Sequence, residues 1–421
     1  MESPLPPLPA SGTYMRSIRD SCRLLRESHN IHIAPSSIQR LLLSEAFSST
    51  YHRISKTSHG LAFPLKFPSA LAELNLLSIL SLLNIASGYR VPLHQQTGRG
   101  AWDSIRAFVF GLYLSSSIGA DDDLLSAKGM RSISETKIVE LMGVSVHVER
   151  PHESIPGVTV GEVGGPIHEL VQLLKTLMNE TGNVLVNGGY TDLGSFVLEA
   201  LKEGEKATRQ SGDKTAAAEV VLERLVRAIP GFRDMAIVNE QPVYCFKKAL
   251  FLIHGVSIRF GSSSPSSVPI PETSHLPVFT DNVLPSILVH LGVLDLTQAT
   301  QSLISLFPGA GSEECLMSLL ATAPSDPPED ATKMNEKPLP KEGPILTTEQ
   351  SYILRAAAID ACELIVEYSR SMDTSELQQL RLEWVKDITL PDLDMWLWAV
   401  AKDRKDYREL ERFVLRNTLF F

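Results

Sequence analysis

The sequence predicts a mainly α-helical protein, one large helical domain with a few short strands. Three observations lead there. Apolar residues recur at helical spacing in most segments between the Gly- and Pro-rich breaks. Alternation is confined to short stretches such as VSVHVERPHESIPGVTVGEVGGP, residues 144–166. No repeat of fixed period is present, and 421 residues suffice to bury a large core.

Each element follows from its own pattern. Residues 1–13 form a Pro-rich tip read as disordered, and 14–421 form the domain. Tyr14–Leu25 and Ser36–Phe47 are amphipathic helices. Ser69–Ile85 reads as a long apolar, buried helix; the uncharged stretch Leu74–Tyr89 that overlaps it is shorter than a span of about 20 residues and carries Asn75, Asn84 and serines. GYRVPLHQQTGRG is punctuated as a loop, and Trp102–Leu114 resumes the helical period. After the alternating stretch come helices at Pro166–Glu180 and Leu193–Glu203. The small polar run near 203–216 reads as an exposed linker to a helix at Glu219–Ala228.

DMAIVNEQPVYCF suggests a hairpin turning near Asn239–Pro242, feeding a helix at Lys247–His254. Two more stretches, near 261–277 and 322–345, have the Ser, Pro and charge content of flexible insertions. Helices follow at Thr348–Arg370 and Ser375–Trp384, then an aromatic end, DLDMWLWAVAKD.

A formal charge of −10 opposes residence on duplex nucleic acid or an anionic membrane, since both require a basic face. The four cysteines, Cys22, Cys245, Cys315 and Cys362, show neither CxxC nor metal-ligand spacing, which fits a reducing compartment. MESPLPPLPASG lacks the basic start and apolar block of a signal peptide, so the expected location is the cytoplasm, with the nucleus open. Walker, GxGxxG, HExxH and GxSxG patterns are absent, and GEVGGP lacks the Lys-Ser/Thr of a phosphate loop. The triplet Asp121–Asp123 reads as a solvated helix start, and His147, His152 and His168 have no metal-ligand spacing. No metal is implied.

One aspartate raises a question. In LPVFTDNVLPSILVHLGVL, Leu276–Leu294, Asp281 stands alone at the mouth of an apolar helix entered near Pro285. Two readings stay open. Its oxygens cap orphan N–H groups, or its charge stabilises a cation or activates a water at the lip of an apolar cavity.

Four stretches, in order, resemble one family. They are LMNETGNVL with DLGSFVLEAL after it, LVRAIPGFRDMAIVNEQPVYCFKKALFL, the Asp281 run, and LDMWLWAVA with the aromatic chain end. Together they cover roughly Pro166–Phe421 and resemble the queuosine salvage proteins, in particular fungal members, which hydrolyse queuosine 5′-phosphate to free queuine. LLNIASGYRVPLHQQTGRGAWDSIRAFVFGLYL occupies the place of the family's Leu-Asn-Phe-aromatic region and its Trp-containing helix.

The resemblance implies a helical domain related to helical DNA glycosylases, a small-molecule nucleotide substrate and no cofactor. Asp281 matches the aspartate of the family's Asp-Tyr-Arg-x-Pro motif, which implies a catalytic role: stabilising an oxocarbenium-like ribose and activating a water. Lys247 matches a family lysine and, with Lys248, offers charge to a 5′-phosphate. Asn84 falls at the Leu-Asn position and offers an amide to a base edge. Trp102 and Trp398 (and Trp396 beside it) offer stacking faces, and Arg90 a further cation. Asn282 and Val283 stand where the family pattern has Tyr and Arg. The alternative is a catalytically inactive nucleotide-binding or protein-interaction descendant of the same fold. A DNA glycosylase is a third reading, opposed by the acidic balance.

Overall fold

The computed structural model describes residues 5–58, 60–116, 123–262, 267–322 and 339–421. Within them the chain is mainly α-helical, with two small two-stranded antiparallel sheets, His147–Pro151 with Thr159–Val163 and Met235–Val238 with Gln241–Tyr244. The expected hairpin turns at Asn239 and Glu240, both at positive φ.

At the centre lies the helix Ala70–Leu82, buried at every residue from Leu74 to Leu82. Its polar residues are satisfied locally. Ser78 and Ser81 donate to the carbonyls of Leu74 and Leu77, and Asn75 bridges the Leu125 carbonyl at 3.0 Å and the Gly194 N–H at 3.0 Å. Around it pack the helices Ala101–Ser115, Leu193–Ser211 and Lys247–Phe260. The chain ends meet on one side, where Tyr14–Ser28 packs along Thr348–Ser371. Among the described residues no single helix is long and apolar enough to cross a membrane.

Several sequence expectations change. The run read as a linker at 203–216 is mostly helix: Leu193–Ser211 continues through it and only 212–215 break before Ala216–Ala228. Its polar side chains form the solvent face, while Leu193, Phe196, Val197, Ala200, Leu201 and Gly204 are buried. The loop GYRVPLHQQTGRG contains a helix, Arg90–Thr97. Pro92 falls in its first turn, where a missing N–H costs nothing, and Gly98 ends it at φ 67°. Residues 5–13 are not a free tip: the Pro7 carbonyl accepts from Tyr244 Oη at 2.8 Å, and Ser11 Oγ donates to Glu223 at 2.9 Å. Of the insertion expected near 261–277, residues 263–266 lie outside the described residues, and 267–277 are irregular but docked, with Val268 and Leu276 buried. Of the 322–345 segment, 323–338 lie outside the described residues, as do Asp121 and Asp122 of the acidic triplet.

The last twelve residues form an irregular tail that threads back into the body. Phe413 N–H donates to Ser286 Oγ at 3.2 Å, Val414 pairs with Ile345, and Asn417 N–H donates to Tyr89 Oη at 3.0 Å. Gly88 makes this path possible, because a Cβ there would collide with the Leu415 carbonyl. The tail therefore lies against the segment that carries Ser87 and Arg90, and against the Asp281 helix.

Candidate functional site

Asp281 closes the loop before the helix Val283–His290 and is 6 % exposed. One carboxylate oxygen, Oδ1, accepts the Val283 N–H at 2.7 Å, an Asx turn that caps the first N–H of the helix while Asn282 holds the N-cap position. The other, Oδ2, lies 3.7 Å from Lys247 Nζ and 3.5 Å from Ser87 Oγ. One oxygen thus organises the helix start and the other faces a cation.

Lys247 opens the helix Lys247–Phe260 and is 2 % exposed. Its ammonium donates to the Asn84 backbone carbonyl at 3.1 Å. Burial pushes it below its ordinary value, against the pull of Asp281. Phe246, just before it, sits at φ 47°, an unusual position for a buried aromatic residue. That turn is held by Asp234, whose carbonyl accepts the N–H groups of Cys245 and Phe246 and whose carboxylate accepts that of Lys247 at 3.2 Å.

Asp234 belongs to a second, fully buried ion pair that sequence reasoning did not nominate. Arg355 holds it in a fork, Nη1 to Oδ1 at 3.0 Å and Nη2 to Oδ2 at 2.5 Å, and Tyr352 Oη donates to Oδ1 at 3.0 Å. Arg355 Nε donates to the Thr280 carbonyl at 3.0 Å, one residue before Asp281. Burial alone would lower the guanidinium's pKa, but Asp234 outweighs it and the net shift is upward. Asp394, also missed, accepts the Phe279 N–H at 2.7 Å, fixing the loop from its other end. The available signal was a lone arginine and lone aspartates inside apolar helices, SYILRAAAID and LDMWLW.

The remaining expected residues divide. Lys248 does not face a ligand site: its buried ammonium donates to the carbonyls of Leu82 at 2.9 Å and Leu419 at 2.5 Å, and burial holds it well below its ordinary value. It is a strut for the tail. At Asn84 it is the backbone carbonyl, rather than the amide, that meets Lys247. Trp102 packs edge-on against Phe251 at 5.6 Å, and Phe251 meets Phe279 at 6.2 Å, an apolar row leading toward the Asp281 loop. Trp398 is half-buried and has Lys402 Nζ over one face of its ring at 3.6 Å. Trp396 is core, donating to Thr50 Oγ1 at 2.8 Å and packed on Phe47.

Arg90 is brought to the site. With Ser87, Asn282, Arg412 and Val414 it lines a cavity of about 10 Å³. Asn282 is committed elsewhere, its amide donating to the Phe413 carbonyl at 2.8 Å. Among the described residues no group of three His, Cys, Asp or Glu converges as a metal site.

At the far end of the Asp281 helix, His290 Nε2 lies 3.0 Å from the Glu411 carbonyl, and burial holds the imidazole below its ordinary value of 6.5. The unfolded ring takes up a proton near pH 6.5 while the native ring resists it. The stability contributed is complete above that pH and is lost as pH falls through the depressed native value. A His290→Gln variant therefore loses less of its thermal midpoint than wild type between pH 7.5 and about 5.5.

A comparison with curated proteins finds no match in sequence. Residues 168–306, about a third of the chain, match the family model described as queuosine salvage protein. This stretch contains Asp234 and Lys247 as well as Asp281. The match spans both partners of the buried Lys247–Asp281 pair, so the part of the chain that carries them is similar to the queuosine salvage protein family.

Proposed function

We propose that the chain hydrolyses the N-glycosidic bond of queuosine 5′-phosphate and releases free queuine. The similarity of residues 168–306 to the queuosine salvage protein family supports a role in queuosine salvage, and the reaction is the further step. The observation that supports it is the division of labour at Asp281, with Oδ1 spent on the helix and Oδ2 turned to Lys247.

Cleavage of a glycosidic bond develops positive charge on the ribose, and a carboxylate held in a dry site stabilises that charge more strongly than one in water. Oδ2 is also the oxygen able to accept a proton from an attacking water. Lys247 and Ser87 orient it. Asp234, Arg355 and Asp394 act through the backbone by fixing the loops that carry these groups, so they are positioning residues.

The test is release of queuine from queuosine 5′-phosphate by the full-length protein, followed by mass spectrometry. Release at catalytic turnover supports the reading. A second reading, a nucleotide-binding or protein-interaction descendant without chemistry, is favoured by Asn282 and Val283 at the Tyr and Arg positions and by the commitment of Asn282 to the tail. Tight nucleotide binding with no release would move the assignment there.

A further inference from the structure

We infer that Arg90 and Arg412 form an oxyanion-binding arm beside Asp281, which takes the phosphate group of the substrate. The identity of that substrate rests on the N-glycosidase reading; the arm itself rests on geometry.

Both arginines line one cavity, together with Ser87, whose hydroxyl reaches Asp281, and Asn282, its chain neighbour. Neither guanidinium is fully satisfied. Arg90 Nη1 and Arg412 Nε are buried with no hydrogen-bond partner. Such atoms are rare, because a buried unpaired donor costs about 1–3 kcal/mol and more when charged. The partners they do have are neutral: Arg90 Nη2 donates to the Arg408 carbonyl at 3.2 Å and Arg412 Nη2 to the Ala401 carbonyl at 3.0 Å. Carbonyls orient a guanidinium without cancelling its charge.

Nearby negative charge is already engaged. Asp281 faces Lys247, and Glu342, the carboxylate lining this cavity, accepts from Arg416 Nη2 at 2.5 Å. Lys341 adds another positive charge to the lining. Burial, with the repulsion of Arg90, pushes Arg412 down to about 9 despite the attraction of Asp281, so it stays charged at neutral pH but poorly compensated. A tetrahedral oxyanion supplies what this wall lacks, acceptors for the free N–H groups and the opposite charge. The two lysines that the sequence offered for this task are occupied, Lys247 by Asp281 and Lys248 by two carbonyls. A cavity of about 10 Å³ holds roughly one water, so the anion enters by displacing the exposed side chain of Glu342.

The probe is inorganic phosphate, titrated into the full-length protein at constant ionic strength with chloride as reference, and read by thermal midpoint. Phosphate is expected to raise the midpoint of wild type. Arg90→Gln and Arg412→Gln each weaken that response by about tenfold or more in phosphate concentration, and the exposed-site control Arg99→Gln retains it. Arg412→Lys keeps the charge but loses the fork, so it falls between and carries the test should the glutamine variant not fold. No phosphate response in wild type, or an undiminished response in the Arg90 and Arg412 variants, overturns the inference. This readout needs no glycosidic bond, so it stands if turnover fails. Conversely, wild-type turnover with an unchanged KM for the nucleotide in Arg412→Gln removes the arm and leaves the glycosidase reading intact.

Discussion

Arg355→Met lowers the stability of the folded protein by about 3–5 kcal/mol, the largest loss expected from any single substitution near the site. The side chain is fully buried, and its fork neutralises an equally buried Asp234. Methionine fills much of the same volume but leaves the carboxylate with no cation, and an uncompensated buried charge dominates the cost. Three attachments go at once: the fork to Asp234, the bond to the Thr280 carbonyl, and the guanidinium that lies 4.4 Å over the Phe421 ring. Arg355→Lys recovers only part, because one ammonium cannot span both carboxylate oxygens and Thr280 together. Urea unfolding measures all of this. The double variant Arg355→Met, Asp234→Asn should lose clearly less than the sum of the two singles, since each partner's cost is mainly the stranding of the other. Additive losses would mean that the pair is not coupled.

How much of this was legible in the sequence depended on how local the determinant was. Strongly periodic helices such as Thr348–Ser371 follow directly from their apolar spacing, and a Thr347–Gln350 capping box marks the start of that one. The helix through 203–211 is hidden because its composition is that of a linker. EGEKATRQS is the water-facing side of a helix, stiffened by a Glu205–Arg209 pair at 2.7 Å, and its buried positions lie mostly before the polar run begins. Arg90–Thr97 was hidden by punctuation, although Pro92 and Gly98 sit where a helix accepts them.

The site was less legible still. Asp281 was visible as a lone charge in an apolar run, but no spacing rule links it to Lys247 or Ser87. Lys247 was reached only through resemblance. Arg412 gave no signal at all, because its importance comes from the tail's path past Gly88 into the body, a tertiary fact. Burial likewise ties the Lys248 ammonium to two backbone carbonyls, and no one-dimensional pattern reports burial of a charged tip.

Asp281→Asn is the substitution that separates the cap from the chemistry, with an expected fall in kcat of about a hundredfold or more and little change in KM. The amide oxygen of asparagine can still accept the Val283 N–H, so the helix start survives. What disappears is the charge at the second oxygen. Alanine confounds the two effects. It removes the Asx-turn hydrogen bond to Val283, worth about 1 kcal/mol, and strands the Lys247 ammonium without a counter-charge at further cost. A folded Asp281→Asn protein that binds the nucleotide and releases queuine at the wild-type rate would reduce Asp281 to a cap, leaving the proposed reaction in need of another carboxylate. If binding persists and release is lost, the charge on one oxygen is what the reaction requires. Lys247→Met then gives the reciprocal result: Asp281 loses its orienting partner, and kcat falls while the Val283 cap remains.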